Sequence, residues 1–171
     1  LLQKKALLKY RLITGLVPKL MKTICKKMNL HHKYKVLNNN YSETSYIIYF
    51  KKTLFEVIVG ENNKKLLNQI CKKNKNFFFI TPYNQFSKKN NSIKNTKQFN
   101  ELKKFLKKKS FKYFFGKAIP HSQNWKTEKG FFIFDEKYLI NFFLKKYKQN
   151  AVLYSNLSSY PYFIWNKNLN F

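Results

Sequence analysis

The stretch from residue 130 to residue 155 combines two short apolar runs with a helical pattern between them. The first run, Phe131–Phe134, has the length of a strand and stops at Asp135. The next apolar positions recur at helical spacing with lysines among them; they are Leu139, Ile140, Phe143, Leu144 and Tyr147. A second run follows at residues 151–154. The pattern predicts a βαβ unit, whose crossover would make its two strands parallel.

Similar patterns upstream extend this prediction to a whole domain. Strands are predicted at residues 45–50, 76–81, 112–115, 131–134 and 151–154, with helices at 63–73, 99–109 and 138–149. Unbroken apolar runs are typical of parallel strands covered on both faces. We therefore expect an α/β fold, with a doubly wound, mostly parallel five-stranded sheet flanked by helices. Residues 54–59 fit either a helix or a strand.

Two stretches differ from this core in composition. Residues 1–44 alternate leucines with lysines and predict a basic helical N-terminal arm in front of an α/β domain at 45–171. Residues 82–100 are rich in Asn, Ser and Lys, which predicts a polar inserted loop. Asn63 is a candidate N-cap for the first helix, and Asp135 for the last.

The charge balance narrows the choice of partner. The 171-residue chain has 35 Lys and Arg residues against 7 acidic residues, a formal net charge of +28. Such an excess opposes compaction by self-repulsion, so a polyanionic partner is expected, and nucleic acid is the commonest one. Basic residues spread over many elements favour structured RNA over a single DNA site. The expected RNA-binding residues are Lys4, Lys5, Lys9, Arg11, Lys26, Lys27, Lys33, Lys35, Lys88, Lys89, Lys103, Lys104, Lys107, Lys108, Lys109, Lys117 and Lys126.

Residue usage points to the genome that encodes the chain. Arg11 is the only arginine, although arginine is the better bidentate ligand for phosphate. Lys, Asn, Phe, Tyr and Ile, which have A/T-rich codons, are used heavily. We infer an A/T-biased organellar genome and expect an organelle-encoded protein of the mitochondrial matrix.

The residues that enzymes and metal sites require are scarce. The glycines form neither a dinucleotide-binding turn nor a phosphate-binding loop. Cys25 and Cys71 are far apart, and the adjacent His31 and His32 have no further ligands at metal-site spacing. No apolar run reaches the 18 residues or more of a membrane span. We therefore expect no catalysis, cofactor, metal or small-molecule substrate, and no membrane span.

Several motifs resemble the bacterial-type small-subunit ribosomal protein 2, the S-two family. Phe131-Phe-Ile-Phe-Asp135 resembles the family's Leu-Phe-Val-Ile-Asp, and Asn124-Trp-Lys-Thr127 matches part of its Thr-Asn-Trp-Lys-Thr segment. Asn156-Leu-Ser-Ser-Tyr-Pro161 parallels Asp-Thr-Asn-x-Asp-Pro. The chain departs from the family at Ala118–His121, where the Trp-Leu-Gly-Gly motif is absent, and after Thr127, where a long helical hairpin is missing.

This resemblance implies a doubly wound domain in the small ribosomal subunit. It implies contacts with small-subunit rRNA and neighbouring ribosomal proteins, without catalysis, in a divergent mitochondrial member that lacks the hairpin. The alternative is a peripheral structural subunit of a mitochondrial respiratory complex, whose basic charge would face anionic lipid. A degenerate nucleotide-binding enzyme that uses Asp135 is the third hypothesis.

Overall fold

The computed structural model describes residues 32–61, 69–70, 76–122, 124–156 and 160–167. The chain divides into two compact units, residues 1–40 with Phe171, and residues 41–170. Residues 1–31 of the predicted arm lie outside the described residues, and so do Cys25, Cys71 and the candidate cap Asn63. A helix, α1, covers residues 32–42, and residues 69 and 70 are also helical.

Besides the helical residues 69 and 70, the described part of the chain after α1 contains seven strands and two further helices. The strands are β1 (Thr44–Phe50), β2 (Thr53–Val57), β3 (Asn76–Ile80), β4 (Tyr113–Pro120), β5 (Glu128–Phe134), β6 (Ala151–Asn156) and β7 (Tyr162–Trp165). The helices are α2 (Ser92–Lys108) and α3 (Ile140–Lys146), with short 3-10 turns at Gln85–Ser87 and Lys137–Leu139. The five predicted strands coincide with β1, β3, β4, β5 and β6.

The predicted mostly parallel, doubly wound sheet is wrong. The strands form one curled, seven-stranded sheet in the order β2-β1-β4-β5-β3-β6-β7, and every neighbouring pair is antiparallel. The two strands joined by α3, β5 and β6, do run in the same direction. However, β3 lies between them and pairs antiparallel with both. The helical crossover was therefore predicted correctly, whereas the adjacency of its strands was not.

The same relationship holds for the crossover before it. Helix α2 joins β3 to β4, and β5 lies between these two strands. The elements β3-α2-β4-β5-α3-β6 thus follow the β-α-β-β-α-β order of a split βαβ, ferredoxin-like arrangement. The hairpin β1–β2 extends this central sheet at one edge and β7 extends it at the other.

The apolar runs have a different cause from the one expected. On one face of the sheet, Phe78, Ile133 and Val152 pack with α2 and α3. On the other face, Phe77, Phe79, Phe132 and Phe134 pack with residues of the β1–β2 hairpin, Ile70 and Phe163. The backbone N–H of Gly60, beyond β2, donates to the carbonyl of Pro161, before β7, at 3.1 Å. Curling of the antiparallel sheet, together with the helical residue Ile70, therefore covers the second face, which parallel sheets cover with helices.

The uncertain segment at residues 54–59 is mainly a strand. Thr53–Val57 pairs with β1, and the buried Val57 lies opposite Tyr46. Val57 packs into the core while Glu56 is exposed, as expected of alternating strand positions. Tyr162–Trp165, which is not among the five predicted strands, forms the opposite edge of the sheet.

Residues 92–100 of the predicted inserted loop form the first part of α2, whereas residues 82–91 are a loop that contains one 3-10 turn. Helix α2 begins at Ser92, where the Asn91 side chain accepts a hydrogen bond from the Lys94 N–H at 2.8 Å. The polar composition did not exclude a helix here, because the Asn95 side chain is buried and donates a hydrogen bond to Asn84 Oδ1.

Asp135 does not cap the last helix. The residues at the N-cap positions of the 3-10 turn and of α3 are Glu136 and Leu139. The Asp135 carboxylate instead accepts a hydrogen bond from the backbone N–H of Asn76 at 3.2 Å, and the Asp135 N–H donates to the Asn76 carbonyl. Asp135 therefore fixes the end of β5 against the start of β3.

Candidate nucleic-acid interface

The outer surface of the two-helix layer is densely basic. Leu102 and Leu106 of α2 are fully buried against the sheet, so residues on the far side of the helix face solvent. The exposed lysines of this layer are Lys94, Lys97, Lys103, Lys104, Lys107, Lys108, Lys109, Lys145, Lys146 and Lys148. Glu101 is the only acid within α2, and α3 has none. The helix layer thus presents a nearly single-signed surface, which we call the helix face.

The basic surface continues onto β4 and β5. Lys117 and Lys129 lie directly opposite each other in the antiparallel ladder, so their side chains share one face of the sheet. Lys117 places its Nζ 5.6 Å from the centre of the Tyr49 ring. Like charges directly opposite in a ladder are destabilising. An anion bound between these lysines would relieve that repulsion.

A third basic region lies beside Trp125. The Lys89 Nζ lies 5.8 Å from the centre of the indole ring. Lys88 and Lys126 are both exposed and adjoin Lys89 and Trp125 in the chain. Lys88 and Lys89 belong to residues 81–91, which we call the asparagine loop.

The asparagine loop is held in place by Asn84. The Asn84 N–H donates to Asn95 Oδ1 of α2 at 3.1 Å, and its Oδ1 accepts from the Asn90 N–H at 2.9 Å. Its Nδ2 donates to Glu128 Oε1 at 2.7 Å. Asn84 also has a φ of 47°, a left-handed conformation that Asn tolerates better than most residues. One residue therefore connects the loop to α2 and to β5.

Glu128 is the buried acid at the base of this loop. Its Oε1 also accepts from Trp125 Nε1 at 2.8 Å, and its residue exposure is only 9%. Burial raises the pKa of Glu128, and the hydrogen bonds from Asn84, Trp125 and Thr81 partly offset that increase. Because Glu128 holds Trp125 directly, it also positions the ring beneath Lys89.

The other side of the asparagine loop is fixed to residues 148–150. Ser87 Oγ accepts from Asn150 Nδ2 at 2.7 Å, and the Phe86 N–H donates to the Lys148 carbonyl at 2.7 Å. Gln149 Nε2 donates to the Tyr83 carbonyl at 2.8 Å. Phe86 and Ser87 both have positive φ, at 50° and 55°. These bonds offset the cost of that strained backbone, so the surrounding structure determines the loop conformation.

The sheet face opposite the helices is closed to nucleic acid. RNA-recognition modules built on a four-stranded sheet stack bases on aromatic side chains of the open face. Here Phe77, Phe79, Phe132 and Phe134 occupy that face and are only 0–3% exposed. They form core contacts instead, among them Phe79 with Phe132 at a centroid distance of 4.8 Å. Bases therefore cannot stack on them.

The structure brings together part of the predicted lysine set. Lys103, Lys104, Lys107, Lys108 and Lys109 share the end of α2 and are exposed, as an RNA-binding role requires. Lys88, Lys89 and Lys126 are all exposed, and Lys89 contacts the Trp125 ring. Lys117 is half-buried and lies on the sheet. Lys33 and Lys35 are exposed on α1. Lys4, Lys5, Lys9, Arg11, Lys26 and Lys27 lie outside the described residues.

Sequence reasoning missed a serine–histidine pair and the buried polar network. Ser45 Oγ and His121 Nε2 lie 3.0 Å apart, a distance suited to a nucleophile and its base. His121 is exposed to water, and such chemistry also needs donors directed at one reacting atom. The pair therefore receives no catalytic assignment. No local motif could have revealed either feature, because both join residues far apart in the chain.

Within the described residues, no three His, Cys, Asp or Glu side chains are grouped so that they could hold a metal ion. Across the same part of the chain, no helix combines the length and apolar character required to cross a membrane.

Comparison with known proteins adds no relative. The chain matches no protein-family model, no curated protein and no solved structure.

Proposed function

We propose that this protein is an RNA-binding structural component of a ribonucleoprotein, and that it binds the phosphate backbone of structured RNA through the helix face. The observation that supports this most directly is the segregation of charge. Lysines cover the solvent side of α2 and α3, whereas Glu101 is the only acid in either helix. Lysine ammonium groups neutralise phosphates and release the counterions condensed on the nucleic acid.

The shape of the helix face suits a regular nucleic-acid backbone. Helix α2 has 17 residues and is about 25 Å long. It connects the lysines at its C-terminal end to the asparagine loop, which Asn95 holds at its N-terminal end. Phosphate contacts at both ends of a rigid helix would fix the register of the protein on an RNA duplex. Because the aromatic side chains on the sheet face opposite the helices are buried, the helix face is the better-supported RNA-binding surface of the two.

For the assembly, we propose the small subunit of the mitochondrial ribosome. The chain is rich in lysine and in other residues that have A/T-rich codons, which supports encoding by an organellar genome. Its net charge of +28 supports permanent contact with rRNA, beside neighbouring ribosomal proteins. The choice of the small subunit comes from the motif resemblance to the S-two family, because charge and codon usage do not distinguish the two ribosomal subunits. That resemblance implied a doubly wound parallel sheet, whereas this sheet is antiparallel.

An RNA crosslinking map of the native assembly tests the proposal. We expect peptides from residues 94–109 and 145–148 to crosslink to small-subunit rRNA. Few crosslinks are expected at residues 51–56, in the β1–β2 hairpin at the edge of the sheet. Ribonuclease or high salt should release the protein. A protein that remains on membranes after ribonuclease treatment would contradict the proposal and favour a respiratory complex.

A further inference from the structure

An exposed aromatic ring lies in the groove between α2 and α3. The Phe142 side chain is 43% exposed, although the adjacent Phe143 is fully buried. Its ring stacks against that of Phe105 from α2, with a centroid distance of 5.7 Å and an interplanar angle of 29°. The Lys146 Nζ lies 4.7 Å from the centre of the Phe105 ring and 5.4 Å from that of Phe142. We call these three residues the aromatic groove.

Helical spacing surrounds the aromatic groove with further positive charge. Lys145 and Lys146 are three and four residues beyond Phe142, and Lys108 is three residues beyond Phe105. Side chains at these spacings are neighbours on a helix surface. The cation–π contacts hold the Lys146 ammonium beside the rings instead of leaving it free in solvent. The groove thus combines a flat apolar surface with ammonium groups at its rim.

We propose that the aromatic groove binds an unpaired RNA base, which stacks on Phe142 while Lys145, Lys146 and Lys108 bind the flanking phosphates. This inference rests on the proposed function and extends it from duplex backbone to a bulged or looped nucleotide. A base offers a flat π-face, and the phosphates on either side of it match the lysines of the rim. The same-signed rim disfavours a basic or purely apolar partner.

Glu101 is the acidic group near this groove. Burial raises the pKa of the Tyr147 hydroxyl, and the negative charge of Glu101 raises it further. This hydroxyl has no hydrogen-bond partner within the described residues. Lys97 and Lys104 lie four residues before and three residues after Glu101 on the same helix. The local charge therefore stays positive, so the one acid does not prevent phosphate binding.

The test uses the full chain and two RNAs. One is a continuous duplex, and the other is the same duplex with a single bulged 2-aminopurine nucleotide. The variant is Phe142→Leu, which keeps apolar bulk without a π-face. The matched control is Tyr138→Leu, which removes an aromatic ring that is 75% exposed just before α3. Thermal unfolding of each variant checks that it is folded.

We expect the wild-type protein to prefer the bulged RNA and to quench its 2-aminopurine fluorescence. Phe142→Leu should weaken binding to the bulged RNA by about 5-fold or more, as expected for loss of one base–aromatic stack, and should abolish the quenching. Its affinity for the continuous duplex should not change, and Tyr138→Leu should behave as wild type.

The outcomes separate this inference from the proposed function. If the wild type and Phe142→Leu both bind the bulged RNA and the continuous duplex with the same affinity, base stacking in the aromatic groove is contradicted, while the proposed binding of the RNA backbone stands. Failure of the wild type to bind either RNA at low salt would overturn both. Competition by a poly-glutamate peptide as effective as the bulged RNA would assign the groove to an acidic protein partner and overturn the base-stacking proposal.

Discussion

Asn84 and Glu128 are joined by a 2.7 Å hydrogen bond, although 44 positions separate them in the chain. The bond links the asparagine loop to the first residue of β5. Through the second hydrogen bond of Glu128, it also links the loop to Trp125. The position of Lys88 and Lys89 on the surface therefore depends on a buried acid that does not itself face the solvent.

The first prediction concerns the pH dependence of stability at Glu128. Burial raises the pKa of this carboxyl above its ordinary value, so the folded state favours the protonated form. The stability contributed by protonated Glu128 is fully present below the ordinary value of 4.5 and is lost as pH rises through the raised folded value. Glu128→Gln retains an oxygen acceptor without this titration. The free energy of unfolding of the wild type should therefore fall relative to Glu128→Gln across that window.

Urea unfolding of both proteins from pH 4 to pH 7 measures this difference. Glu128→Ala is the companion variant, because it leaves Asn84 Nδ2 and Trp125 Nε1 without their acceptor. It should cost about 1–3 kcal/mol at every pH. A constant difference between wild type and Glu128→Gln over the whole range would contradict the assignment.

The second prediction concerns the order of the asparagine loop. Asn84→Ala removes hydrogen bonds to Asn90, Asn95 and Glu128, and it places alanine in a left-handed conformation. Local opening of the loop should become easier, so limited trypsin digestion should cleave faster after Lys88 and Lys89. Mass spectrometry identifies these cleavage sites. The control is Asn124→Ala at an exposed position, and equal cleavage rates for the two variants would contradict the predicted role of Asn84.

The third prediction concerns a pair of glycines that face each other across β4 and β5, Gly116 and Gly130. A Cβ on Gly130 would overlap the Ile80 carbonyl oxygen and lie 2.6 Å from Phe79 Cζ. A Cβ on Gly116 would lie 2.5 Å from Phe132 Cε2. Gly130→Ala should therefore destabilise the fold by about 1–3 kcal/mol, as overpacking does.

Chemical denaturation measures that cost. Thr53→Ala, at an exposed strand position, serves as the control and should change stability by about 0.5 kcal/mol or less. If Gly130→Ala were as stable as the control, the close packing of the phenylalanine rings over the glycines would be wrong.

The sequence predicted where strands occur better than how they pair. The run Phe131–Phe134 marks a buried strand because all four side chains are excluded from water. Burial on both faces follows from helices on one side and a curled sheet on the other, so it does not specify parallel neighbours. The position of β3 between β5 and β6 depends on contacts between residues far apart in the chain, and the local pattern of apolar residues carries no signal for them. This is why the βαβ unit was assigned to the wrong fold class.

The candidate site was predictable only in part. The lysines at residues 103–109 follow an apolar helical stripe, and this amphipathic pattern is sufficient to expect that they are exposed. The asparagine loop had no such signal, because polar composition does not distinguish solvated side chains from mutually bonded ones. The contact between Phe105 and Phe142 was equally hidden, since it requires the packing of α2 against α3.

The central claim is that lysines of the helix face bind RNA phosphates, and the salt dependence of RNA affinity tests it most directly. The variant is Lys104→Ala/Lys108→Ala, whose two positions lie one turn apart on the exposed side of α2. The matched control is Lys51→Ala/Lys52→Ala in the β1–β2 turn, which removes the same charge. The account predicts that the slope of log affinity against log salt decreases in magnitude by about 1.4–1.8 for the α2 variant. The control should keep the wild-type slope. Equal slopes for the two variants would contradict the account.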